Sequence, residues 1–143
     1  MRLFLDANVI FSAAHNSAGN ARGLFQLAQQ QRCELVTSPY ALEEAQRNIL
    51  LKYPDRAGEF EHLLPVLTVA AEALPDRVAW AVAQGIPVKD APILAAAVQS
   101  QVDLLVTGDR THFGHLYGQV LQKVVITTSA AALDQVLDEI AAG

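Results

Sequence analysis

Cysteine is nearly missing from this chain. Cys33 is the only one in 143 residues, which excludes a disulfide framework and a cysteine-based zinc site and suits a reducing compartment. Charged residues make up 17%, too few for a charged coiled coil, and 52% apolar residues exclude disorder as the default state. No apolar run approaches the ~18 residues of a membrane span. The opening run Leu3–Phe4–Leu5 meets Asp6 after three residues, too soon for the apolar core of a signal peptide. Neither leader nor anchor is expected, and the expected location is cytoplasmic. Basic residues are also scarce: 10 against 15 acidic ones, for a net charge of −5. Taken alone, that balance argues against a nucleic-acid partner. The objection weakens if four carboxylates share divalent metal, because the remaining charge is then near −1.

What is present reads as one α/β domain. The length suits a single core of roughly 100–150 residues, and the chain has no repeat or long linker. Short β-branched or leucine-rich runs alternate with helical stretches, the pattern of a mostly parallel sheet covered on both faces. Strands are predicted near 2–6, 34–37, 102–107 and 124–127, with 66–69 a candidate. Helices are predicted over 7–14, over 21–31 with Asn20 as cap, and from Ser38–Pro39 to about Lys52. Further helices are predicted over 56–64, from Pro75 to a stop at Gly85, from Asp90 to Gln101, and after a Ser129 cap.

Carboxylates recur at one end of this arrangement. Asp6 follows the first strand and Asp109 the strand over 102–107. Asp90 opens the helix before that strand, and Glu44 lies early in the helix after the second strand. Ligands of open α/β sheets bind outside the carboxyl ends of the strands. Each residue also has a plain reading: Asp6 and Asp90 as helix caps, Asp109 as a turn residue, Glu44 as a solvated helix-start acid. Together they would repel one another unless protonated or neutralised by a cation. Oxygen donors without a cysteine or histidine cluster suit Mg²⁺ or Mn²⁺.

The stretches Leu5–Asp6–Ala7–Asn8–Val9, Leu42–Glu43–Glu44, Asp90–Ala91–Pro92–Ile93–Leu94–Ala95–Ala96–Ala97 and Leu105–Val106–Thr107–Gly108–Asp109 resemble the PIN-domain family. The nearest branch is the bacterial group of toxin components of toxin–antitoxin systems, the VapC-like ribonucleases. The resemblance spans nearly the whole chain and implies a three-layer α/β/α domain. It also implies a metal-dependent endoribonuclease leaving 5′-phosphate and 3′-hydroxyl ends. Its acidic site would be Asp6, Glu44, Asp90 and Asp109, with Asp6, Asp90 and Asp109 on the metal. Glu43 is the alternative to Glu44, and helical periodicity does not choose between them. Ala7 stands where the family often has Thr or Ser. The implied partners are single-stranded or loop RNA and an antitoxin protein.

Around these carboxylates, Asn8, Thr107 and Arg110 are candidate substrate-binding residues. Asn8 can orient Asp6, Thr107 can place a hydroxyl at the site, and Arg110 can hold a phosphate. Lys89 can also hold a phosphate. His112 and His115 lack further partners for zinc and read as rim or loop residues. Trp80 and Phe113 read as packing residues, and Cys33 as an inert one. The run Ile49–Leu50–Leu51 exceeds what one buried helix face can cover, which points to a homodimer. Two other classes make different demands on the sequence. A phosphotransfer or receiver domain would want a second acid near the first strand, where Asn8 stands. A non-catalytic PIN scaffold would bind RNA or an antitoxin without cutting.

Overall fold

A computed structural model describes residues 1–143. The sheet explains itself from its strands. Leu3, Phe4 and Leu5 of β1 (Arg2–Leu5) are all fully buried. Successive strand residues point to opposite faces, so both faces of β1 must be covered. The same holds for β4 (Leu104–Val106) and for the end of β2 (Glu34–Thr37). Exposure returns at the edges, in β3 (Leu67–Val69) and in β5 (Val120–Leu121). With β6 (Val124–Thr127) the order is β3-β2-β1-β4-β6-β5. All neighbours are parallel except the β5–β6 hairpin.

Eight α-helices complete the layers: α1 (Ala7–His15), α2 (Asn20–Gln29), α3 (Pro39–Lys52), α4 (Ala57–Leu63), α5 (Pro75–Val82), α6 (Ala91–Gln99), α7 (Arg110–Phe113) and α8 (Ser129–Ala142). Helix α6 is buried along almost its whole length, from Ala91 through Val98 apart from Pro92, which its run of alanines permits. None of the eight is long and apolar enough to cross a membrane.

Strand order positions the site. The chain builds β1, β2 and β3 outward in one direction, then returns to lay β4 on the other side of β1. The sheet therefore reverses between β1 and β4, and a crevice opens at their carboxyl ends. Asp6 follows β1, and Thr107–Gly108–Asp109 follow β4. The register pairs Leu5 with Val106, and the Asp6 amide continues the ladder to the Val106 carbonyl at 3.0 Å.

Several predicted boundaries move. Helix α2 begins at Asn20 itself, with Gly19 as a cap that supplies no side-chain bond. Thr128, not Ser129, caps α8, its hydroxyl accepting from the Ala131 amide at 3.2 Å. The Ser38 cap stands as expected, accepting from the Ala41 amide at 3.2 Å with Pro39 in the first turn. Strand β4 starts two residues later than predicted, and α6 stops at Gln99. Of the Ile49–Leu50–Leu51 run, Ile49 is buried while Leu50 and Leu51 are 54% and 76% exposed.

Candidate functional site

Asp6 is 5% exposed, and each of its oxygens is held. Oδ1 accepts from the Ala7 amide at 2.7 Å. Oδ2 accepts from the Thr107 hydroxyl at 2.8 Å and from Asn8 Nδ2 at 3.2 Å. Burial pushes the Asp6 carboxyl up from 3.8 to about 6; the bonds from Thr107 and Ala7 oppose that rise, and the charges of Glu44 and Asp90 add to it. Glu44 is thus within electrostatic reach of Asp6. It is half-buried on α3, whereas Glu43 is exposed.

Asn8 and Thr107 brace this corner. The Asn8 Oδ1 accepts from the Gly108 amide at 2.7 Å. A Cβ on Gly108 would sit 3.3 Å from that oxygen, so the missing side chain permits the close approach. The Thr107 hydroxyl also accepts from the Asp109 amide at 3.1 Å, and its own carbonyl accepts from the Tyr117 hydroxyl at 2.8 Å. Thr107 is fully buried, so its hydroxyl positions Asp6 and Asp109 and cannot itself meet a substrate. Ala7 is 2% exposed and belongs to the core.

The second half of the site joins Asp90, Asp109 and His112. The Asp109 Oδ1 caps α7 by accepting from the His112 amide at 3.1 Å. Its Oδ2 lies 2.7 Å from His112 Nδ1. The same ring nitrogen lies 3.0 Å from Asp90 Oδ2. One N–H cannot serve both carboxylates, and with its proton directed at Asp109 the Asp90 Oδ2 is buried without a hydrogen-bond partner. Asp90 also makes no side-chain cap bond to α6. Burial raises its carboxyl above the ordinary value, Asp109 adds to the rise, and His112 and Lys89 oppose it.

An unpaired buried carboxylate oxygen is costly. Here it belongs to a group of three residues whose donor atoms lie within 4.8 Å of one another. A divalent cation fits such a donor set, because it neutralises the carboxylates and satisfies the orphaned oxygen.

The remaining candidates separate. Arg110 opens α7 on the exposed surface beside Asp109. The Lys89 carbonyl accepts from the Tyr40 hydroxyl, tying the start of α3 to the segment before α6. His115 faces the Gln84 carbonyl at 3.4 Å, outside the carboxylate group. Phe113 is fully buried and Trp80 packs against the core. Burial raises the Cys33 thiol, which favours the unreactive form. The largest cavity, about 600 Å³, is lined by Arg77, Gln99, Asp103 and Lys123 among others, and none of the four acidic residues borders it.

Sequence reading missed Tyr117 and set His112 aside. Tyr117 lies in an irregular stretch with no periodic signal. The Asp109-x-x-His112 spacing was visible, since residues three apart share a helix face.

Solved structures give the same fold. PAE2754 from Pyrobaculum aerophilum superposes with a TM-score of 0.67 at 18% identity, covering 96% of this chain and 99% of that one. VapBC2 from Rickettsia felis, bound to a DNA fragment from its promoter, gives 0.64 at 16% identity, covering 90% and 98%. VapC20 from Mycobacterium tuberculosis, a toxin that cleaves the sarcin–ricin loop, gives 0.55 at 13% identity, covering 76% and 91%. At these identities the likeness is one of fold. No curated protein matches the chain in sequence at a significant level. The family model of the PIN domain matches residues 2–111, from β1 into α7 and through all four acidic positions, and the chain belongs to the PIN-domain family.

Proposed function

We propose that this protein is a divalent-metal-dependent endoribonuclease, the toxin half of a toxin–antitoxin pair, acting in the cytoplasm on single-stranded or loop RNA. The observation that carries the reading is the buried Asp90 Oδ2 without a hydrogen-bond partner, set among carboxylates from three separate elements at one end of the sheet. Simple capping does not account for that oxygen, and a cation does. Membership of the PIN family and the toxin neighbours of the same fold support the choice of RNA.

In this reading Asp6, Asp90 and Asp109 hold Mg²⁺ or Mn²⁺, and Glu44 completes the site or holds a second ion. The cation supplies charge neutralisation at the scissile phosphate and activation of the attacking water. The chain itself supplies placement. Thr107 and Asn8 fix the Asp6 carboxylate, and the α7 cap bond fixes Asp109. Arg110 offers a guanidinium to a neighbouring phosphate. A flexible single strand can bend its backbone into this crevice, whereas a duplex holds its phosphates rigid. The exposed Leu50 and Leu51 on α3 suit a homodimer, which sedimentation at rising concentration tests.

The experiment that tests the activity is cleavage of a panel of structured and single-stranded RNAs with Mg²⁺, with Mn²⁺ and with EDTA. Wild-type protein should cut only with metal, and Asp6→Ala, Asp90→Ala and Asp109→Ala should each lower cutting by orders of magnitude. RNA binding without cleavage under every condition would favour the non-catalytic scaffold instead.

A further inference from the structure

We propose that His112 is itself a ligand of the metal, so that the centre is a mixed nitrogen–oxygen site that takes Mn²⁺ in preference to Mg²⁺. The inference rests on the metal-dependent reading above and deepens it by naming a donor and an ion class.

The geometry is already that of donors around one point. His112 Nδ1 lies 2.7 Å from Asp109 Oδ2 and 3.0 Å from Asp90 Oδ2. Ligands at right angles on bonds of roughly 2.1 Å stand about 3.0 Å apart, so these spacings match adjacent corners of an octahedron. Asp109 and His112 are three residues apart on α7 and share its face. A carboxylate-x-x-histidine pair of this kind also serves as a metal-binding unit in carboxylate-bridged metal proteins. The third donor, Asp90 Oδ2, comes from the start of a different helix and has no hydrogen bond to give up. When a cation enters, the Asp109–His112 hydrogen bond yields and the ring proton moves from Nδ1 to Nε2, which frees the Nδ1 lone pair for the metal.

Ion preference follows from the nitrogen. Mg²⁺ favours oxygen ligands and dehydrates reluctantly. Imidazole favours first-row transition ions, and Mn²⁺ is the member of that series that also accepts carboxylates readily. A four-carboxylate site has no such bias toward nitrogen-accepting ions, so His112 sets the preference.

The test is titration of the full chain with Mn²⁺ and with Mg²⁺, together with pulsed electron paramagnetic resonance of the Mn²⁺-loaded protein. Wild type should show coupling of Mn²⁺ to a directly bound nitrogen. His112→Ala should abolish that coupling. Losing a group that only orients a ligand typically costs about 10–100-fold in affinity, so losing the ligand should cost Mn²⁺ at least about tenfold, and Mg²⁺ much less. His112→Gln, which keeps side-chain bulk and offers an oxygen, should bind both ions without the nitrogen signal. Circular dichroism and melting of both variants establish that they are folded. Mn²⁺ bound to wild type without nitrogen coupling, or an equal loss for both ions in His112→Ala, would overturn the assignment and leave the metal reading standing. Failure of wild type to bind Mn²⁺ at all would overturn both.

Discussion

The Thr107 hydroxyl donates to the Asp6 carboxylate at 2.8 Å, joining two residues 101 positions apart in the chain. The bond spans the sheet's reversal point, since Asp6 follows β1 and Thr107 follows β4. The acceptor is almost fully buried, so no water can take the donor's place. Thr107→Val keeps the shape and removes the hydroxyl. A hydrogen bond to a charged group contributes roughly 1.5–3 kcal/mol. Thr107→Val should therefore lose stability of about that size in urea unfolding at pH 8 with EDTA, where Asp6 is ionised. Thr107→Ser should lose much less. Equal losses in the two variants would mean that the methyl group, and not the hydroxyl, matters at this position.

Asp6 also makes stability depend on pH in a definite direction. Its carboxyl is raised in the folded state from 3.8 to about 6, so the folded protein holds this proton more tightly than the unfolded chain. The contribution is fully present below about pH 4 and is lost as pH rises through about 6. At about 1.4 kcal/mol per pH unit the whole effect is on the order of 3 kcal/mol. Asp90, raised in the same direction, adds to the same slope. Metal-free protein should be more stable at pH 4.5 than at pH 7.5, and Asp6→Asn should flatten the profile. Metal binding needs the ionised carboxylate, so added Mn²⁺ should raise the melting temperature more at pH 7.5 than at pH 5. A metal-free melting temperature that rises with pH across this range would refute the assignment.

Much of the fold was legible because local signals agreed with the tertiary structure. The runs at 34–37 and 124–127 became strands with the predicted bounds, and Ser38–Pro39 opened α3 as read. The errors have physical causes. Asn20 and Ser129 are good capping types, but each has a competing residue just before it, Gly19 and Thr128, and only tertiary packing decides which one leaves the helix. At the site, strand-end position alone brought out Asp6 and Asp109. The roles of Asn8, Thr107 and Tyr117 depend on bonds between segments about 100 or 10 residues apart, which spacing does not encode. His112 reads from the sequence as a rim or loop residue because no third and fourth zinc partner is evident near it. Its partners are carboxylates, and one of them comes from the start of α6.

The hairpin β5–β6 escaped notice for a reason that also makes it improvable. Its two turn residues, Gln122 and Lys123, have φ of 50° and 71°. Tight hairpin turns of this kind favour Asn-Gly, because positive φ strains other side chains. With Gln-Lys in their place the sequence carries no turn signal. Gln122→Asn with Lys123→Gly should stabilise the protein by a few tenths to about 1 kcal/mol, read as a higher urea midpoint with unchanged slope. Destabilisation would show that the Gln122 and Lys123 side chains contribute packing that outweighs the backbone strain.

Capping and metal binding make opposite predictions for Asp90. Ser38 and Thr128 accept hydrogen bonds from helix amides, so Ser38→Ala and Thr128→Ala should each cost about 1 kcal/mol, whatever the metal content. Asp90 occupies the equivalent place before α6 yet makes no such bond, and its Oδ2 has no hydrogen-bond partner. Removing it deletes a partly buried charge repelled by Asp109. In EDTA, Asp90→Ala should be neutral or stabilising, because it removes a desolvated carboxylate that Asp109 repels. Adding Mn²⁺ should raise the melting temperature of wild type and of both cap variants alike, because a ligand stabilises the state that binds it. Asp90→Ala should gain less. Asp90→Ala therefore falls behind wild type only when Mn²⁺ is added, which a purely structural aspartate cannot produce. A loss of about 1 kcal/mol for Asp90→Ala in EDTA, with the same Mn²⁺ gain as wild type, would return Asp90 to the role of helix cap and remove the main support for the metal site.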